Sequence, residues 1–178
     1  MRQTGKNVSP FSNEARNTYV VEHMTESLLK HLRQKPISEI SISEICDDAG
    51  VGRASFYRNF DSKEDIVRKY LHSQLSLWRK QYDSLGKDSN SEMYGSLFGY
   101  LKDNAEFYQL LGKRNLLYML SEILIDIYGA KTEDENMWAY TKSFIAYGTY
   151  GWIQEWISRG MQESAETMTT LLSQNGMK

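Results

Sequence analysis

The chain has 178 residues, 40% of them hydrophobic and 25% charged, so it can form a core of ordinary size, and wholesale disorder is excluded. Cys46 is the only cysteine, which excludes an intrachain disulfide and a zinc site built from several cysteines. The net charge of −2 divides unequally, because residues 1–82 carry 13 Lys and Arg against 10 Asp and Glu, whereas residues 83–178 carry 8 against 13.

The basic first half is typical of a surface that faces phosphates, although windows of this length also vary by a few charges by chance. The excess is strongest over residues 53–80, with 7 basic and 3 acidic side chains. No apolar segment follows the first residues, and the most apolar stretch, 116–128, is interrupted by Glu122 and Asp126. We therefore expect no secretory signal and no membrane span, and a soluble protein of the cytoplasm.

The first predicted elements belong to a small helical head. Residues 1–12 are polar and are predicted to form a flexible arm. Apolar side chains then recur at spacings of three and four over residues 13–35, which predicts a helix that a proline ends. A second, short helix is predicted over residues 42–49, with Ser41 or Ser43 as its N-cap.

A turn follows this second helix and leads into a third of about eight residues. Gly50 suits the left-handed conformation that stops a helix, and residues 53–60 form the next one. Phe56 and Phe60 are four residues apart and would anchor it to the core. Two short helices joined by a tight glycine-containing turn predict a helix-turn-helix, whose second helix fits a major groove.

Further helices are predicted along the rest of the chain, and no stretch alternates with a period of two, so the expected fold class is all-α. The predicted helices cover residues 62–82, 92–103, 105–112, 115–129, 134–158 and 162–174. The polar loop 84–91 marks a domain boundary. The predicted organisation is an arm (1–12), a DNA-binding head (13–65), a connecting helix (66–82) and a C-terminal domain for effector binding and dimerisation (83–178).

The run Ala49-Gly50-Val51 followed by Phe56-Tyr57-Arg58-Asn59-Phe60-Asp61-Ser62-Lys63-Glu64 closely resembles the DNA-binding head of TetR-family transcriptional regulators. The resemblance covers residues 13–66 and continues more weakly over 94–105 and 144–161. One departure is Gly52, where the family more often has Ser as the N-cap of the recognition helix. Losing such a cap costs up to about 1 kcal/mol, and Gly is the mildest replacement. The resemblance implies a dimer in which the last two long helices form a four-helix bundle.

The resemblance and the helix geometry together assign DNA-binding roles to eight residues. These are Ser43, Arg53, Ala54, Ser55, Tyr57, Arg58, Asn59 and Lys63. Tyr57 and Lys63 are expected at phosphates, and Arg53 either reads a guanine or holds a phosphate. Two alternatives also stay open: Tyr57 simply packs under its helix, or Ser43 only caps the second helix.

Two further sets of residues are candidate sites in the C-terminal domain. One candidate is an apolar effector pocket, although aromatic residues at helical spacing are more often plain core; its residues are Phe98, Phe107, Tyr108, Tyr118, Met119, Trp138, Phe144 and Tyr147. The dimer interface is predicted at Gly148, Tyr150, Gly151, Trp152 and Trp156, where small and aromatic residues alternate.

No residue grouping in the sequence indicates an enzyme. The histidines His23, His31 and His72 lack the spacing of metal ligands, and no Ser/His/Asp group or paired carboxylates stand out. We therefore expect no catalysis, no cofactor and no metal. The expected function is a homodimeric repressor that binds an operator in double-stranded DNA and is released by a small apolar or aromatic effector. The alternatives are an activator, a regulator controlled by a protein partner, and an interaction module that has lost DNA binding.

Overall fold

The computed structural model describes residues 13–86 and 89–174, so the predicted N-terminal arm lies outside the described residues. Within these ranges all regular structure is helical, which confirms the all-α fold class. The helices are α1 (Asn13–Gln34), α2 (Ile42–Asp48), α3 (Arg53–Asn59), α4 (Lys63–Asp83), α5 (Asn90–Asp103), α6 (Ala105–Lys113), α7 (Tyr118–Tyr128), α8 (Asn136–Ser158) and α9 (Ala165–Gln174). A short 3₁₀ helix, Ile37–Glu39, lies between α1 and α2.

The chain divides into two compact units, residues 1–67 and 68–178. The division falls inside α4, whereas the sequence suggested a boundary in the loop 84–91 that follows this helix. Because α4 is one uninterrupted helix, its periodicity gives no sign of where its packing partners change. The predicted division into four segments remains a prediction.

The N-terminal unit packs α1, α2 and α3 around the beginning of α4. Its buried apolar side chains come from these helices and from the residues that follow them: Met24, Leu28, Leu32, Ile40, Ile45, Cys46, Ala49, Phe56, Phe60, Ile66 and Val67. Cys46 is part of this core, and burial raises the pKa of its thiol, so it packs as a small apolar side chain.

The C-terminal unit pairs α5 with α9, and α8 with both α6 and α7. Trp156 of α8 is buried at its centre, where its ring meets Phe98 of α5 edge to face at 5.6 Å between centroids. Gly112 of α6 faces Ile157 of α8 so closely that a Cβ there would lie 3.3 Å from that side chain. The aromatic residues of this unit thus include true core.

Among the described residues, no group of three or more His, Cys, Asp or Glu side chains is placed to hold a metal ion. No helix in the described ranges has the length and apolar character needed to cross a membrane.

Candidate nucleic-acid interface

The turn between α2 and α3 has the hydrogen bonds of a Schellman motif. The backbone N–H of Gly50 donates to the carbonyl of Asp47 at 3.2 Å, and the N–H of Val51 donates to that of Cys46 at 3.0 Å. Gly50 has φ of +66°, the left-handed conformation that the sequence led us to expect. The turn therefore ends α2 at a defined residue and sets the direction in which α3 begins.

Hydrophobic contacts on one side hold α3 in place. Phe56 and the following Phe60 are both buried, with their ring centroids 5.9 Å apart. Gly52 is the N-cap of α3 and supplies no side-chain hydrogen bond, as its residue type requires. The helix thus depends on its two aromatic anchors more than on its own capping.

The opposite side of α3 is open to solvent and carries basic and aromatic side chains. Arg53, Ala54, Tyr57 and Arg58 are exposed, and Tyr57 is 59% accessible although its ring also meets Phe56 edge to face. In the described ranges, the side chain of Arg53 makes no hydrogen bond or ion pair, and the Tyr57 hydroxyl has no hydrogen-bond partner. Both groups are therefore available to an outside partner.

Ser55, Arg58 and Asn59 are tied back to their own helix. The guanidinium of Arg58 donates to the carbonyl of Ala54 at 3.1 Å and to the hydroxyl of Ser55 at 3.4 Å. The amide of Asn59 donates to the carbonyl of Ser55 at 2.8 Å. Ser55 and Asn59 are half-buried, so their side chains are less accessible than those of Arg53 and Tyr57.

Ser41, and not Ser43, caps α2. Its hydroxyl accepts from the N–H of Glu44 at 3.1 Å, while the Glu44 carboxylate accepts from the N–H of Ser41 at 2.8 Å, which completes a capping box. Ser43 is the second residue of the helix and is half-buried. The capping alternative for Ser43 is therefore wrong, because the box occupies the position of the cap.

The carboxylate of Glu44, which completes the capping box, also takes part in an ion pair. The ammonium of Lys35 lies 2.6 Å from the carboxylate of Glu44. This contact, followed by the capping hydrogen bonds, lowers the pKa of Glu44 to about 2. A second pair joins Lys30 to Asp48 and lowers the pKa of Asp48. Both pairs involve α2, so it is held by charge as well as by packing.

The ammonium of Lys63 points to backbone carbonyls of the head. Its Nζ lies 2.7 Å from the carbonyl oxygen of Ile37 and 2.5 Å from that of Ile40, at the two ends of the 3₁₀ helix. Two of its three N–H donors are therefore used within the protein. One backbone donor at the N-terminus of α4 is also used, because the N–H of Asp65 donates to the hydroxyl of Ser62 at 3.1 Å. The expected role of Lys63 as a free phosphate ligand does not follow from this geometry.

The residues of the predicted effector pocket are divided between the core and the surface. Phe98, Tyr108 and Met119 are fully buried core, and Phe107 packs edge to face on Tyr70 at 5.1 Å. The other four are largely exposed: Tyr118, Trp138, Phe144 and Tyr147. Helical spacing alone could not separate core side chains from surface ones, so the prediction that these residues line one pocket is wrong.

The predicted dimer residues are also divided. Trp156 belongs to the core and is not available to a partner, whereas Gly151 is exposed with open space beside it. Tyr150, Trp152 and Gly148 are half-buried. Apolar side chains instead line the solvent side of the first half of α8, and we call Met137, Tyr140, Phe144 and Tyr147 the outer stripe of α8. They are spaced by three, four and three residues, which places them on one face.

A cavity of about 240 Å³ lies elsewhere in the C-terminal unit. Of the predicted pocket residues, only Trp138 lines it, together with Trp78, Met93, Tyr94, Leu97, Leu124, Tyr128, Lys142, Ile145, Ala146 and Thr149. The sequence pattern did not identify these residues as one site because they come from α4, α5, α7 and α8, which are far apart along the chain.

Comparison with solved structures supports the fold. The chain resembles Lin0861 from Listeria innocua, with a TM-score of 0.72 over 93% of both chains at 12% sequence identity. The likeness to the fatty acid degradation regulator FadR from Bacillus halodurans, at 15% identity over 95% of both chains, has a TM-score of 0.48, and nothing is concluded from it. Among curated proteins, none matches the sequence.

Two family models match the sequence itself. The model described as bacterial regulatory proteins of the tetR family matches residues 27–70, which include α2, the turn at Gly50 and α3. The model described as the C-terminal region of a transcriptional regulator matches residues 88–175. Head and body are thus matched separately, in the order that the structure has them, and the chain belongs to the TetR family of DNA-binding transcriptional regulators.

Proposed function

We propose that this protein acts in the cytoplasm, without catalysis, as a homodimeric repressor that binds a two-part operator and that a small molecule releases. The observation that carries the DNA-binding part is the solvent face of α3. There Arg53, Ala54 and Tyr57 are exposed while Phe56 and Phe60 hold the opposite face to the core. A helix held in this way can enter a major groove without deforming the head.

Specificity is assigned to the first turn of α3. Arg53 is free to make two hydrogen bonds to a guanine, or else to hold a phosphate, and the methyl group of Ala54 suits contact with a thymine methyl. Ser55 is half-buried and would reach a base only at the edge of the interface. We therefore rank Arg53 and Ala54 above Ser55 as the residues that read the sequence.

Phosphate contacts are assigned around this first turn. Tyr57 has an exposed hydroxyl that can donate to a phosphate oxygen, and Ser43 at the beginning of α2 can do the same. Arg58 and Asn59 are flanking contacts, for which Arg58 must leave its bonds to Ala54 and Ser55. Lys63 keeps a single N–H donor for a phosphate, so its main contribution is to hold the head in shape.

The proposed dimer rests on the outer stripe of α8. Phe144 is 73% exposed and lies between Tyr140 and Tyr147 on the same face, opposite the buried Ile153. A helix that is apolar on both its core side and its solvent side is normally buried on both. A second copy of the chain, meeting this face with its own stripe, would cover it through two-fold symmetry.

Release by an effector would use α4, which contributes residues to both compact units. A molecule bound beside Trp78 of α4 in the C-terminal unit can favour one arrangement of this helix over another. The two heads of a dimer would then no longer match the two half-sites of the operator. Binding of the effector would in this way lower the affinity for DNA.

Selection of random double-stranded DNA with the full-length protein, followed by anisotropy titrations at several salt concentrations, tests this proposal. We expect an inverted repeat whose half-sites lie about one helical turn apart, and an affinity that falls steeply with salt. Binding without sequence preference, or none at low salt, would point instead to an interaction module. A reporter gene placed behind the selected site distinguishes repression from activation.

A further inference from the structure

The cavity in the C-terminal unit has the size of a site for a small compact molecule. Its volume is about 240 Å³, larger than the roughly 150 Å³ cavity known to take up benzene and below the usual range for drug-sized ligands. Trp138 lies on its wall and is 56% exposed, so this side of the cavity faces solvent. A single aromatic ring with a short chain fits this space.

Most of the wall is apolar, but three hydroxyl groups interrupt it, and that of Tyr128 already accepts a hydrogen bond from Arg79 at 3.2 Å. Tyr94 and Thr149 are both buried, and their hydroxyl oxygens are 3.4 Å apart. Either oxygen can serve as the donor of this long hydrogen bond. Each hydroxyl therefore has capacity left for a partner inside the cavity, since a hydroxyl can donate once and accept twice. Trp78, in contrast, already donates its indole N–H to Ser96 at 3.0 Å.

The charge balance of the cavity argues against an anionic ligand. Within the described ranges, Lys142 is the one charged residue that lines it. Its ammonium already lies 2.6 and 2.9 Å from the two carboxylate oxygens of Asp134, whose side chain is only 11% exposed. This pairing lowers the pKa of Asp134, and the ammonium also lies 5.8 Å from the ring centre of Trp138. A ligand carboxylate would meet the negative charge of Asp134, whereas an uncharged oxygen can accept the remaining N–H of Lys142.

We infer that this cavity binds an uncharged molecule with a compact aromatic or apolar body and one hydrogen-bonding oxygen, held by Thr149 together with Tyr94 or Lys142. The inference rests on the proposed control by an effector and names the chemical class of that effector. This cavity replaces the pocket expected from the sequence. Its buried hydroxyl groups and the ion pair of Lys142 with Asp134 disfavour a charged ligand.

A matched pair of probes tests this inference by isothermal titration calorimetry on the full-length protein. Cinnamyl alcohol and cinnamate share one carbon skeleton, but only the second carries a charge at pH 7. We expect cinnamyl alcohol to bind, and cinnamate to bind at least tenfold more weakly. Equal or tighter binding of cinnamate would overturn the inference and make Lys142 an anion site, and absence of binding by cinnamyl alcohol would overturn it as well.

Two variants of one helix locate the probe. Thr149→Val keeps the shape of the side chain and removes its hydroxyl, so we expect about a fivefold loss of affinity for cinnamyl alcohol, as for one lost hydrogen bond. Thr141→Val is the control, because Thr141 is exposed on α8 and, among the described residues, its hydroxyl bonds only to the carbonyl of Met137. Equal affinity in both variants, with melting curves like the wild type, would remove Thr149 from the site and contradict the inference.

These assays contain no DNA, so their failure is distinct from failure of the proposed function. Absence of probe binding overturns the cavity assignment and leaves operator binding untouched. Absence of operator binding by the ligand-free protein overturns the proposed function, while the calorimetric result on the cavity still stands.

Discussion

The ammonium of Lys63, at the first position of α4, donates to the carbonyl oxygen of Ile37 at 2.7 Å. The ammonium also donates to the carbonyl oxygen of Ile40, so it bonds to both ends of the 3₁₀ helix between α1 and α2. Lys63 therefore joins the start of the helix after the recognition helix to the segment before α2. The side chain that the family resemblance assigns to DNA thus contributes to the architecture of the head.

Replacing Lys63 by Met should destabilise the protein by about 1.5–3 kcal/mol, the range for hydrogen bonds to a charged group. The hydrocarbon stem remains in Lys63→Met, so the loss is that of the ammonium. Urea unfolding measures the effect, and anisotropy titrations across salt concentrations should show an almost unchanged salt slope. A slope lower by about one with unchanged stability would instead identify Lys63 as a phosphate ligand.

The stability of the head should fall in acid because of Glu44. Its pKa is about 2 in the folded protein and has an ordinary value of 4.5, so the carboxylate stabilises the fold fully above pH 4.5. This contribution is lost progressively as the pH falls from 4.5 towards 2. Thermal melts between pH 2 and 7 should show that Glu44→Gln removes this part of the pH dependence while retaining the capping box. Parallel curves for both proteins would contradict the ion pair with Lys35.

A serine at position 52 should stabilise the recognition helix. Gly52 has extended backbone angles suited to an N-cap, and open space surrounds the site of a Cβ. We expect Gly52→Ser to raise the free energy of unfolding by a few tenths of a kcal/mol, and Gly52→Ala to lower it. Urea unfolding of the two variants compares them directly. A stabilising alanine together with a destabilising serine would show that capping does not limit α3.

Arg53 should carry part of the sequence preference. Arg53→Ala is expected to cost about 1–3 kcal/mol at the selected operator and to relax the preference at one base pair. Anisotropy titrations against operators changed at single positions measure this. Arg53→Lys keeps the charge but not the two-pronged geometry, so it should recover nonspecific binding and not the preference. Equal losses on all sequences for Arg53→Ala would assign Arg53 to a phosphate.

A charge placed in the outer stripe of α8 should separate the proposed dimer. Phe144→Asp puts a carboxylate in the middle of the stripe, where burial in an interface would be costly. We expect the protein to sediment as a monomer and to lose operator affinity while its C-terminal unit stays helical. Ser84→Asp introduces the same charge at an exposed position after α4 and should leave the mass unchanged. A wild type that is already monomeric at micromolar concentration contradicts the proposed dimer.

Local features of the fold follow from the order of the residues. The glycine at position 50 adopts the left-handed turn, and the spacing of Phe56 and Phe60 orients α3 with its basic side outward. These features depend on neighbours within a few residues, so backbone preferences and helical periodicity are enough to predict them. The same holds for the all-α class and for the limits of most helices, which differ from the predicted ones by a few residues.

The tertiary structure decided what depends on distant partners. Lys63 and Ile37 are 26 residues apart, and no local pattern shows that the ammonium turns towards that carbonyl. On α8, apolar residues occur on the core side, as at Ile153, and on the solvent side, as at Phe144. Periodicity alone cannot separate two apolar faces of one helix. Only the packing of α6 and α7 against α8 determines which face becomes core and which remains open to solvent, and only the packing of α4, α5, α7 and α8 leaves the cavity.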